Sequence, residues 1–133
     1  VYGGSMNSSY TRSASKIFND SVTSGSTYNI SGNSSEVPFV FNFTSAIANF
    51  TTTSTLANHL SSFAVTTDGS TAPASGEDYL LIAGDGTDSQ IYLWEDTGNG
   101  SVASGELTIL AKLNSVSNSS ITNSDVSFTT LSI

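Results

Sequence analysis

Residues 76–113, GEDYLLIAGDGTDSQIYLWEDTGNGSVASGELTILAKL, constrain the chain more than any other stretch. Two short apolar runs, 79–83 and 91–94, flank a cluster of Gly, Asp and Thr at 84–88. Runs this short, rich in β-branched and aromatic residues and bounded by turn formers, read as two strands of a hairpin. A second break, DTGNGS at 96–101, precedes an alternation of Leu107, Ile109, Ala111 and Leu113 against Thr108, Leu110 and Lys112. A period of two predicts a third strand and a meander; Leu107, Leu110 and Ala111 also fit a helical turn, the competing reading.

The rest of the chain is poorer in apolar residues. Ser and Thr make up about a third of it, a bias toward strands, turns and caps rather than helix interiors. Residues 37–44 alternate Val37, Phe39, Phe41 and Phe43 with Pro38, Val40, Asn42 and Thr44, a strand with Pro38 at its start or on an edge. Leu56, Leu60 and Phe63 are spaced for one helix of about three turns over residues 53–64, capped by Thr53 or Ser54. A loop follows over 66–77, a Ser/Asn-rich connection over 114–125, and a closing strand over 126–133. The expected fold is mainly β, an antiparallel β-sandwich or meander with one short helix.

Residues 1–35 form a polar arm ahead of a single β-rich domain at 36–133. Ile17, Phe18, Val22, Tyr28 and Ile30 stand singly in the arm among Ser, Asn, Thr and Gly. They give either a weak hairpin, 18–23 with 27–31 around residues 24–26, or a linker-like segment too poor in apolar side chains to order itself. An arm of this kind suits completion by a neighbour: residues 17–30 pair with an edge strand of another copy, or fold back on their own sheet.

Charge narrows the partners. With 3 Lys and Arg against 11 Asp and Glu, the net charge of −8 repels nucleic-acid backbones and anionic lipid. No cysteine is present, which excludes a disulfide framework, a thiolate metal site and a cysteine nucleophile. No stretch approaches the roughly 20 apolar residues that span a bilayer. The start at Val1, with no initiator Met or apolar leader, is expected of a processed product or a fragment.

Eight of the 11 acids fall between Asp68 and Glu106. Loop carboxylates are the ligands a hard cation takes, so Asp85, Asp88, Asp96, Asn99 and Glu106 are candidate calcium ligands. The loop from Asp96 to Glu106 has the leading Asp, central Gly and trailing Glu of an EF-type loop, but carries Gly98 and Gly100 where that motif has oxygen ligands. The competing reading is a solvated acidic turn. Glu77 and Asp78, like Glu95 and Asp96, are neighbours on a strand and point to opposite faces, so neither pair by itself flanks a scissile bond. His59, the only histidine, lacks the context of a triad and reads as an ordinary helix residue. Tyr79, Tyr92 and Trp94 are candidates for a sugar-stacking face, or simply the core of the meander. Eight Asn-x-Ser/Thr triplets occur, at Asn7, Asn19, Asn29, Asn33, Asn42, Asn49, Asn99 and Asn118, a number expected by chance in so Ser/Thr-rich a chain.

The order of an aromatic-aliphatic strand, a Gly/Asp turn, a strand ending in acids, a DTGNGSV loop and an ELTILAKL strand resembles the C-terminal modules of type-I-secreted, RTX-type bacterial surface proteins. The resemblance covers residues 49–133. The nonapeptide calcium repeats of that class are represented only by GDGTD at 84–88. The end of the chain, residues 125–133, lacks basic residues and resembles the uncleaved C-terminal signals of type I export. The resemblance implies a secreted, extracellular or cell-surface location. With the absence of a catalytic constellation, it points to a non-enzymatic structural subunit of a surface layer, matrix fibre or adhesin that assembles with copies of itself. A second reading is an extracellular module that binds a glycan or another surface partner.

Overall fold

The computed structural model describes residues 17–19, 22–30, 39–68, 70–73 and 77–127. In chain order the elements are β1 (Ile17–Asn19), β2 (Thr27–Asn29), β3 (Phe39–Asn42), α1 (Thr53–His59), β4 (Ala64–Thr66), β5 (Glu77–Gly84), β6 (Ser89–Asp96) and β7 (Leu107–Leu113). Among the described residues the protein is therefore mainly β with one short helix.

The five-stranded sheet, in order β1-β3-β5-β6-β7, is mixed. The meander β5-β6-β7 is antiparallel as expected. The first half is not: β1, β3 and β5 pair in parallel, and β2 and β4 make a separate parallel pair. Parallel neighbours need a crossover rather than a tight turn. The chain supplies two, leaving the large sheet through β2 and returning as β3, then leaving through α1 and β4 and returning as β5. Of the two expected arrangements the meander is present, and the parallel pairing of the first half was not expected.

Strand β3 sits between β1 and β5 and is buried along its whole length. Phe39, Phe41 and Phe43 enter the main core with Tyr79, Leu81, Tyr92, Trp94, Leu56, Leu60, Phe63 and Val65. Val40 enters a second core on the other face with Ile82 and Ile121. Rings dominate the main core: Tyr79 and Trp94 centroids lie 4.9 Å apart, and Phe63 meets Phe41 edge-on at 5.5 Å. Contacts of this geometry add roughly 0.5–1.5 kcal/mol each beyond area burial.

The helix is shorter than its spacing predicted. Its cap is Thr52 rather than Thr53 or Ser54: the Thr55 amide donates to Thr52 Oγ1 at 3.2 Å and the Thr52 amide to Thr55 Oγ1 at 3.4 Å. It ends at His59, because Ala64–Thr66 is claimed as a strand and the Val65 amide donates to Gly100 O at 2.8 Å. Leu56, Leu60 and Phe63 are nonetheless all fully buried.

The described residues of the arm, 17–19 and 22–30, pack into the same fold. Ile17 and Phe18 are partnered in register by Phe39 and Val40, and Tyr28 by Val65, all of the same chain. Val22 and Ile30 are buried in the main core, Tyr28 packs against it, and Phe18 packs against the second core. The expected hairpin is absent because β1 and β2 lie in different sheets; only a turn at Ser24–Gly25 remains, closed by the Ser26 amide on Thr23 O. Of the two arrangements expected of residues 17–30, the described residues show the fold-back one within the chain.

Strand β7 is a strand and not a helical turn, but its four apolar residues do not share one face. Tyr92 pairs with Ile109 and Ile91 with Ala111, so Leu110 is the extra residue of a β-bulge. The bulge sends Leu107 and Ile109 to the main core and Leu113 to the second, and leaves Leu110 half exposed. Beyond β7, Asn42 Nδ2 donates to Asn118 O at 2.9 Å and Ile121 O at 3.0 Å, while Asn118 Nδ2 donates to Phe43 O. This clasp closes the second core. Most of the strand expected over 126–133 lies outside the described residues; the two that are described, Val126 and Ser127, follow a 3-10 turn at Asn123–Asp125, and Val126 packs on the second core.

Candidate functional site

Ile17, Phe39, Tyr79, Trp94 and Leu107 are successive register partners, one row across all five strands. Just past this row, at one end of the sheet, Glu77 lies opposite Asp96 and Asp78 opposite Glu95. Glu106 precedes Leu107 at the same end. Neighbour-by-neighbour reading set these acids apart; the antiparallel register, invisible in either strand alone, brings them together in cross-strand pairs.

Glu77 and Asp96 share the face of Tyr79 and Trp94, and Asp78 and Glu95 the other. Asp96 is buried, and its carboxylate accepts the amides of Gly100, at 3.1 Å, and Asn99, at 3.2 Å. Glu106 is also buried: it accepts Trp94 Nε1–H and the Ala103 amide on one oxygen, each at 3.1 Å, and the amide and hydroxyl of Thr97 on the other. Burial pushes the Glu106 carboxyl up, but the donors from Thr97, Trp94 and Ala103 outweigh it and hold it below the usual range. The loop between these two acids is thus folded around its own carboxylates. Beneath Glu77, the Tyr79 hydroxyl is buried without a hydrogen-bond partner. Burial, then Glu77, Asp96 and Asp78, push its ionisation up.

The five expected calcium ligands are not one group. Asp96, Asn99 and Glu106 sit at the acidic end, whereas Asp85 and Asp88 sit in the β5–β6 turn, beyond eight-residue strands that span roughly 25 Å. Asp85 accepts the amides of Thr87 and Asp88, each at 2.9 Å, and these donors lower its pKa. Asp88 accepts the Ser115 amide at 2.6 Å, steadying a turn in which Ser115 has φ of 59°. Among the described residues no three His, Cys, Asp or Glu side chains gather as a metal would require.

The aromatic face is corrected too. Tyr79, Tyr92 and Trp94 are 2%, 0% and 0% exposed, so no ring is open to a sugar. Trp94 packs on Tyr79 and Phe63, and the Tyr92 hydroxyl donates to Phe50 O. Of the Asn-x-Ser/Thr positions, Asn42 and Asn118 are fully buried, while Asn49 and Asn99 are exposed. His59 is exposed in the last turn of α1. No family model, curated protein or solved structure matches this chain.

The opposed acids set a sign for the pH dependence. Glu77 is raised by burial, then by Asp78 and Asp96; Asp78 is raised by burial, then by Glu95. A carboxyl raised on folding stabilises below its unfolded pKa, and that stability is lost as pH rises through the folded value. Asp85 and Glu106, lowered, act oppositely: their stabilisation is present above the unfolded pKa and lost as pH falls through the folded one. We expect Glu77→Gln to be more stable than the parent at pH 7, by several tenths to about 1 kcal/mol, with the gain gone at pH 4. Urea unfolding at both pH values checks this; an equal difference at both would remove the acid pair as its cause.

Proposed function

We propose that this chain is a non-enzymatic structural module of the cell exterior, a surface-layer, matrix-fibre or adhesin subunit, that works by joining copies of itself. One observation carries the reading. The two outer strands of the sheet run in the same direction: β1, β3 and β5 are parallel, β6 opposes β5, and β7 opposes β6. A copy displaced along the sheet, with no two-fold turn, brings its β1 beside β7 of the first in parallel. Such a contact is heterologous and open-ended, and grows into a line.

The location rests on the hydroxyl-rich, cysteine-free composition and on the resemblance to type-I-secreted surface modules. Edge strands of soluble monomers are commonly guarded by charge. Here the bulge on β7 presents Leu110, 50% exposed. Leu110→Lys is expected to keep the fold, within about 0.5 kcal/mol, and to abolish assembly. Sedimentation velocity over rising concentration tests it. Growth of the parent with a monomeric variant supports the reading; a parent that stays monomeric, or a variant that grows equally, contradicts it.

A further inference from the structure

Two carboxylates and a phenol converge at the acidic end, on the face of the sheet that carries the main core. Glu77 and Asp96 are direct register partners, two residues beyond the Tyr79–Trp94 pair of the same strands and therefore on its face. Side chains so opposed start from Cβ atoms about 4.5–5.5 Å apart. Asp96 is 1% exposed and Glu77 is partly exposed. Lys112, the only lysine or arginine among the described residues, pairs with Gln90 toward the β5–β6 turn, so no described residue of that kind offsets the two charges.

The hydroxyl sets this pair apart from an ordinary acidic edge. Tyr79 is 2% exposed, and its buried hydroxyl has no hydrogen-bond partner, a condition native interiors rarely leave unmatched. Beyond burial, the charges of Glu77 and then Asp96 act on it most, yet neither carboxylate is within hydrogen-bonding reach. A gap bounded by three oxygen-bearing groups is left between them. Asp96 has a lone pair to spare there: Oδ1 takes the amides of Gly100 and Asn99, whereas Oδ2 keeps only a share of the Gly100 amide, at 3.3 Å.

We infer that Glu77, Asp96 and the Tyr79 hydroxyl together hold a hard divalent cation. The donors are all oxygen, and their two negative charges match a charge of two. Among the described residues no third acid joins them, so water completes the shell. An irregular, partly wet set suits calcium, which takes roughly six to eight oxygens in flexible geometry, better than magnesium, which demands a near-ideal octahedron. The cation ties the start of β5 to the loop after β6, whose amides Asp96 already gathers. With so few protein donors, the expected dissociation constant is about 0.1–1 mM.

The test is thermal unfolding of the full chain and of Glu77→Gln, Tyr79→Phe and Glu95→Gln, in about 10 mM CaCl2 and in NaCl of equal ionic strength. Calcium is expected to raise the parent's Tm by roughly 5 °C over sodium. Glu77→Gln should lose that rise and Tyr79→Phe, which keeps the ring and removes only its oxygen, should lose most of it. Glu95→Gln removes the same charge from the opposite face and should keep it. Terbium emission excited through Trp94, whose ring centroid lies 4.9 Å from that of Tyr79, reads occupancy apart from stability and should follow the same order, with calcium displacing it. No rise over sodium would mean that water fills the gap, an equal rise in all four proteins would mean diffuse counterions, and a full rise in Tyr79→Phe would remove the hydroxyl from the site; each overturns the inference.

Discussion

Gly84→Ala is expected to destabilise the fold by about 4 kcal/mol, enough to leave it marginal or unfolded. A methyl group there would sit 2.3 Å from Asp88 O and 2.9 Å from both Asn118 Oδ1 and Ser89 Cβ. None of these can retreat cheaply: Asp88 O accepts the Asp85 amide at 3.1 Å, Asn118 holds the clasp to Phe43, and Ser89 starts β6. Gly84 O also accepts the Ile47 amide at 2.7 Å, so a shift of the strand end would pull on the loop ahead of α1. Gly105→Ala is the control, since nothing lies within 4 Å of its added methyl. Urea unfolding of the two variants should show one large loss and one change near zero; equal midpoints would mean that the close approach at Gly84 does not matter.

Glu106→Ala is the second large effect, expected near 3 kcal/mol. The substitution strands the Trp94 indole N–H, buried in the main core, and frees the Thr97 and Ala103 amides that shape the loop after β6. Because the lost acceptor touches Trp94 itself, indole emission of the folded variant should shift as well. Loss of stability with unchanged emission would place the damage in the loop alone; unchanged stability would show that water replaces the carboxylate.

Much of this was legible. Residues 107–113 alternate as a strand does, and the FVFNF run announced a central strand by placing rings on one face and Val40 on the other. What escaped was whatever depends on residues far apart. The parallel pairing of β1 with β3 and β5 leaves no local mark, since any strand tolerates either neighbour direction. The bulge at Leu110 splits a pattern that looks continuous, because the sequence shows period but not a change of face. GDGTD read as one turn signal, yet only Gly86, with φ of 95°, needs glycine for its backbone; Gly84 needs it for proximity to Asn118, 34 positions away. Glu106 was expected among metal ligands by its place after a glycine-rich loop. The same place lets it gather that loop's amides, and local sequence does not separate the two uses. The facing acids were missed for one reason: a hairpin register is set by turn length and packing together.

The most direct measurement of the central claim is the axial repeat of the assembled protein. If β7 of each copy pairs with β1 of the next, five strands are added per subunit, and at strand spacings of about 4.8 Å a line of copies repeats every 24 Å or so. Electron microscopy of concentrated protein, with layer lines taken from any filament, reads this number. Filaments with a repeat near five strand spacings are the predicted result; isolated particles, or filaments whose repeat is set by the long dimension of the domain, would contradict it.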